Sequence, residues 1–451
     1  MSHELVFCGL FAVRYVRLIV HIIAYNLYKP TPIARNPRHG RSDATVIIPT
    51  VEPGNPDFDE CIRSVLKNRP FKVLVVTVGD ECLREATGIC RRVFVDFKAC
   101  NPGSETTIEV IRASEANKRV QLATAIKGID TAITVWVDDH VFWPSESFLL
   151  SAMAPFEDEK VGIAGTNKLV RREDQGTPFK NFWNFLGCLY LERHNFELTA
   201  TNYVDGGAFV VSGRTSIHRT SVIKDPEFLR GFQNEYCFFG WVGPINPDDD
   251  NFVTRWNVSH GYKVAFQNSE EATIETTLGE YPKFLIQCFR WVRTTWRSNP
   301  CSLFTDRTVW RVQPWCVYAV YLTSLFNFAL FIDTALIYLL CTSKWGSTAH
   351  VVLLVSWIVA SKMAKIVPHF KRHPADLIFF PGQVVFGYVH SLIKLWALIT
   401  FWNVGWGTRD LASVEAGGDG LPEQGAEDRK AETDRLLESG SEDEDSKWFA
   451  V

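Results

Sequence analysis

Between residues 42 and 300 short apolar runs alternate with stretches of helical periodicity. The runs at 44–49 (ATVIIP), 71–78 (FKVLVVTV) and 132–137 (AITVWV) are continuous rather than alternating, as expected of strands covered on both faces. Strands of this kind separated by helices predict an α/β domain with a mainly parallel sheet. The flanks read differently. Residues 5–25 are apolar but interrupted by Arg14, Arg17 and His21, and no small-residue cleavage site follows, so a membrane or interfacial helix over 1–28 is expected rather than a signal peptide. Residues 315–341 carry Asp333 as their only charge, which predicts a transmembrane helix over 314–341. A shorter run closes with Lys362 and Lys365, whose long side chains can snorkel to headgroups, and predicts a second helix over 349–368. Pro381-Gly382 and Lys394 interrupt the next apolar stretch, and an interfacial or re-entrant segment over 374–410 is expected there.

Charge sharpens the topology. Lys371-Arg372-His373 directly follow the second predicted span, which places the chain beyond it in the cytosol together with the 42–300 domain. The formal net charge of -4 conceals an acidic segment, 411–451, rich in Gly, Glu and Asp and predicted to be disordered; the remainder is mildly basic. No nucleic-acid partner is indicated by this balance. The 11 cysteines include no C-x-x-C pair, so neither a disulfide framework nor a zinc module is expected. The sequon Asn257-Val258-Ser259 falls in the cytosolic domain and is expected to remain unglycosylated.

Acidic residues sit where a parallel sheet exposes its ligand edge, beyond the carboxyl ends of strands. The second run ends at Gly79-Asp80 and the third at Asp138-Asp139-His140. Asp138 and His140, two residues apart, are candidate ligands for Mn²⁺ or Mg²⁺, with imidazole favouring the former; Asp139 should point away from both. Asp248, Asp249 and Asp250 are consecutive. One of them can cap the following helix, the plain reading for Asp248, whereas three adjacent carboxylates repel one another and mark Asp250 as a candidate general base with its proton affinity raised. In QCFRWVRTTWR, Gln287 and Arg290 share a helix face. An Arg fork there can grip a diphosphate, and the Trp291 indole can line a sugar path. The same stretch also suits an interfacial helix over 281–299.

Taken together, these motifs resemble the processive members of family 2 glycosyltransferases, which include hyaluronan, chitin and cellulose synthases. The resemblance runs from about residue 46 to residue 409, and the DDH and WGTR motifs are most similar to fungal enzymes of the capsular polysaccharide synthase type. It implies a GT-A-like catalytic domain set between N- and C-terminal membrane helices. It assigns Thr50, Asp80, Lys118, Arg119, Asp138, Asp139, Gln287 and Arg290 to the nucleotide sugar, and Asp249 with Asp250 to catalysis. Gly207, Ser212, Gly213 and Trp291 fall to the acceptor, while Trp406, Gly407, Thr408 and Arg409 form a gating loop. The implied partners are a UDP-sugar donor, a growing glycan and the lipid bilayer, in the plasma membrane or alternatively the Golgi or endoplasmic reticulum; homo-oligomerisation stays open. His140 stands where the family usually has a second aspartate, which leaves the metal open between Mn²⁺ and Mg²⁺. Transfer of a single sugar to a lipid such as ceramide, and an inactive membrane scaffold or transporter, are the competing readings.

Overall fold

The computed structural model describes residues 2–405. Its centre is a seven-stranded sheet, with β1 (Ala44–Pro49), β2 (Lys72–Val78), β3 (Thr107–Ala113), β4 (Ile133–Val137), β6 (Val161–Thr166), β8 (Thr215–Arg219) and β9 (Lys263–Gln267) arranged in the order β3-β2-β1-β4-β8-β6-β9. Only β8 runs against its neighbours. This is the mixed, mainly parallel sheet expected. A second sheet joins β5 (Val141–Phe142), β10 (Ile274–Thr276) and β7 (Lys168–Val170), and it braces the chain just after β4.

The continuous apolar runs follow from burial on both sides. Val46 and Ile48 of β1 enter one core with Phe58, Val65 and Cys90 from the helices Pro56–Lys67 and Asp80–Cys100. Ile47 enters the opposite core with Leu122, Trp136 and Phe252. Successive strand residues face opposite ways, so a strand between two cores has no polar side to show. Each such side chain contributes about 1.5–3 kcal/mol by leaving water.

The apolar flanks form helices, though not all as expected. His3–Leu27 and Pro374–Leu398 are each long and apolar enough to cross a membrane. Pro381 lies in the first turn of the helix Phe380–Leu398, where a missing N–H is harmless, and so does not interrupt it. The single span predicted over 314–341 is instead two helices, Pro314–Phe326 and Ala329–Cys341, bent by 88°. The first half has Cys316, Val317 and Tyr321 in the core of the sheet domain. Polar demands of the N-terminal helix hold the break: Arg14 donates to Asn327 Oδ1 at 2.6 Å and pairs with Asp333 at 2.5 Å, while Arg17 donates to the Ala319 carbonyl at 2.6 Å. Lys362 and Lys365 likewise turn inward rather than snorkelling, to Asp333 at 2.9 Å and to Glu197, because buried carboxylates offer them a partner. The long helix Pro178–Asp205 carries Glu197, which also pairs with His21 at 2.6 Å, and so ties the sheet domain to the terminal helices.

Candidate active site

Beyond the carboxyl ends of β1 and β4 opens a cavity of about 550 Å³. Thr50, Lys118, Asp138, Asp139, His140, Ser212, Gly213, Asp249, Asp250, Gln287, Arg290 and Trp291, all expected at the site, line it together. Residues as far apart in sequence as Thr50 and Trp291 meet here because β1, β4 and the start of the helix Asp249–Ser259 open onto the cavity and the helix Lys283–Pro300 runs along it.

At its floor Lys118 Nζ lies 2.7 Å from Asp138 Oδ1 and 3.2 Å from Asp249 Oδ2, and it donates to the Gly213 carbonyl at 3.3 Å. Burial favours the neutral amine of Lys118, but Asp138 and Asp249 outweigh it and hold the ammonium charged well above its ordinary value. Burial also opposes the charge on Asp138, and Lys118 and His140 reverse that and lower its value. For Asp250 the relief from Lys118 and from the Asn251 N–H groups, which donate at 2.9 and 3.0 Å, is outweighed. Burial, then Asp249, then Asp248 push its carboxyl up to about 6, and its Oδ2 accepts a long bond of 3.4 Å from the Gly213 N–H. At Gly213 a Cβ would stand 3.2 Å from both Asp249 Oδ2 and Lys118 Nζ, so a side chain there would displace these two groups.

Asp139 lines the cavity and braces its neighbours. It accepts from the Thr50 hydroxyl at 2.8 Å and meets His140 Nδ1 at 2.9 Å. Asp139 engages Nδ1 of His140 and leaves its Nε2 side toward the cavity, the usual way a carboxylate orients a metal-binding imidazole. Among the described residues no three His, Cys, Asp or Glu side chains form a ready metal cage. Asp138 and His140 fit a hard or borderline divalent ion that draws its remaining ligands from phosphate oxygens and water.

On the opposite wall Trp291 packs on Tyr190, ring centroids 4.8 Å apart, and the Arg214 guanidinium lies 5.5 Å above its ring. Gln287 Oε1 is buried without a hydrogen-bond partner, an acceptor available to a ligand donor.

Several expectations are corrected. Arg119 does not face the cavity: it is buried, bonded to Glu235 at 2.6 Å and to the Phe232 and Pro247 carbonyls, so it clasps the 232–247 loop. Asp80 is exposed, paired with Arg112, and lies outside the cavity lining, because Gly79 turns the chain with φ +71° into the helix Asp80–Cys100. Gly207 also stands apart; a Cβ there would lie 2.5 Å from Cys316 Cβ, so its role is the close approach of that helix. Asp248 provides no side-chain cap and instead grips Arg297 at 2.7 and 3.0 Å, clamping the helix Lys283–Pro300 to the acidic loop. Trp406, Gly407, Thr408 and Arg409, with the acidic segment, lie outside the described residues.

Lys168 and His194 are site residues that the pattern did not single out. Both line the cavity and meet at 2.8 Å. Burial, then Arg214, lower Lys168 to about 7; burial, then Lys168, drive His194 well below its ordinary value. A lone lysine just beyond the buried run 161–166 was the available signal for the first. Nothing local marked the second.

The family model described as glycosyltransferase like family 2 matches residues 41–294. A type 2 glycosyltransferase of Pyricularia oryzae is 38% identical over 414 residues, covering 89% of this chain and 81% of its own length. A hyaluronan synthase of Streptococcus pyogenes is 24% identical over 351 residues, covering 74% and 73% respectively. Among solved structures, a mannosyltransferase of Pyrobaculum calidifontis in complex with GDP-Man and Mn²⁺ matches with a TM-score of 0.48 and 13% identity, over 88% of this chain and 99% of that one.

Proposed function

The chain belongs to the glycosyltransferase family 2 group, and from that premise we propose that it is a membrane-embedded, inverting transferase that extends a polysaccharide from a UDP-sugar. The observation that carries this reading is Asp250: a half-buried carboxylate raised to about 6, standing in one cavity with Lys118, Asp138, Gln287, Arg290 and Trp291. A value near 6 gives a base that is ionised at neutral pH yet basic enough to take a proton.

In the proposed reaction an acceptor hydroxyl attacks the anomeric carbon on the face opposite the nucleotide. The acceptor oxygen to C1 bond forms, the bond from C1 to the phosphate oxygen breaks, the hydroxyl proton passes to an Asp250 oxygen, and UDP departs with the electron pair. Single displacement inverts the centre. Arg290 and Gln287 bind the departing diphosphate, the guanidinium by a charge-assisted fork, and Trp291 stacks the acceptor sugar. Asp138 and His140 would hold Mn²⁺ or Mg²⁺, which supplies positive charge to the diphosphate. Asp139 keeps His140 and Thr50 oriented, and Lys118 keeps Asp138 ionised and holds Asp138 and Asp249 in place.

The polysaccharide product is supported by the likeness to hyaluronan synthase and by an apolar helix at each end of the sheet domain. Membranes carrying the protein, supplied in turn with radiolabelled UDP-sugars, should yield a polymer that a specific glycanase degrades. A single glycolipid as the only product would refute polymer extension, and no transfer from any UDP-sugar would refute the reading altogether.

A further inference from the structure

A second cavity of about 340 Å³ lies among the terminal helices, and its lining is strongly cationic: Arg14, Arg17, Arg193, Lys362, Lys365 and Lys394 all face it. Against them stand Glu197, paired with Lys365, and Asp333, paired with Arg14 and Lys362. Among the described residues the hydrogen bonds of Arg17 go to neutral oxygens, of Ala319 and Thr323, at 2.6 and 2.9 Å, and Glu197 acts on it without a direct ion pair. Lys394 donates to the Asn327 carbonyl at 3.2 Å and rests over the Phe328 ring. Arg193 makes no hydrogen bond or ion pair among the described residues, although it lines the chamber. Excess like charge inside an apolar helix bundle is unfavourable unless a counter-charge joins it.

This chamber adjoins the catalytic cavity, for Tyr190, Thr295, Val320 and Ser324 line both. Around it pack helices of membrane-crossing length and composition, His3–Leu27 and Pro374–Leu398. We propose that the chamber binds the phosphate group of an amphiphile whose apolar tail lies along these helices and whose head reaches the catalytic cavity. Three cations, Arg17, Arg193 and Lys394, that make no direct ion pair with a carboxylate among the described residues match a phosphate ester, which offers several acceptor oxygens and up to two negative charges. The long apolar helices His3–Leu27 and Pro374–Leu398 beside the chamber offer a surface for a lipid tail and so favour a lipid phosphate over the free ion, and a hydroxyl-rich neutral glycan would leave the charges unanswered. Calling this amphiphile an acceptor rests on the transfer reading above; its binding does not.

Titrating the full-length protein in neutral detergent with dihexanoyl phosphatidate, dihexanoylglycerol and inorganic phosphate tests the assignment. Phosphatidate should bind and the neutral diglyceride should not. Arg193→Gln should weaken phosphatidate binding about tenfold, the loss expected for one charge-assisted hydrogen bond. Arg193→Lys should restore most of it, and UDP affinity should be the same in all three proteins. Inorganic phosphate binding as tightly as phosphatidate would overturn the amphiphile. Preference for a uronic-acid oligosaccharide would overturn the phosphate. Failure of phosphatidate to bind wild type, or equal binding by Arg193→Gln, would overturn the site. If phosphatidate binds as expected while no UDP-sugar is consumed, the transfer reading falls and the chamber stands.

Discussion

Replacing Asp250 by Asn removes one charge from the most strained electrostatic position in the catalytic cavity and keeps its shape. Burial and the neighbours Asp249 and Asp248 lift its carboxyl from an ordinary 3.8 to about 6. As the base, it is lost for catalysis when protonated, so the rate of transfer at limiting UDP-sugar should fall as pH drops through about 6. The Asn variant should lose about 10²–10⁴-fold in kcat, the range for a positioned base, with UDP affinity retained. Stability should move the other way. A carboxyl whose folded value stands above its unfolded value binds more protons when folded, so it destabilises the protein at neutral pH, and this penalty eases as pH falls through about 6. The shift corresponds to at most about 3 kcal/mol, shared with Asp249 and Lys118, and Asn relieves it. Radiolabelled transfer by membranes, UDP titration and thermal unfolding in detergent measure the three quantities. Transfer by the variant at more than about a tenth of the wild-type rate, or a wild-type profile flat from pH 7 to 5, would refute the assignment of the base.

Arg119→Leu should cost about 1–3 kcal/mol by leaving the Phe232 and Pro247 carbonyls and one Glu235 oxygen without their donor, while Arg255 still holds Glu235 at 2.6 Å; this is read from the thermal midpoint, with UDP affinity unchanged. Gly207→Ala should destabilise by about 1–3 kcal/mol through overpacking against Cys316, read from the thermal midpoint. Gly213→Ala should leave that midpoint nearly untouched and lower kcat, because its Cβ displaces the Lys118 and Asp249 side chains. Asp80→Asn should change neither UDP affinity nor the melt, since its carboxylate is exposed beside Arg112; a weakened UDP complex would return Asp80 to the nucleotide site.

The strands β1, β2 and β4 were legible because burial on two faces demands unbroken apolar runs, a constraint each segment records by itself. The acidic tripeptides and the spacing of Gln287 and Arg290 were legible for a similar reason: chemistry requires those residue types, and a strand end or one helix turn places them. What a run of residues does not record is its partner. Lys118 and Arg119 are adjacent and both basic, yet one faces Asp138 and Asp249 while the other is consumed by Glu235. Asp248 looked like a cap and became a clamp on Arg297, 49 positions away. The apolar stretch 314–341 met every length requirement for one span, and its bend at residues 327–328 answers to Arg14 and Arg17, some 300 positions earlier. Composition and periodicity thus determined the α/β core, the acidic strand ends and the apolar flanks. Only the tertiary structure decided which charges meet, because a charge is settled by whichever opposite charge the fold brings within a few ångströms, wherever it lies in the chain.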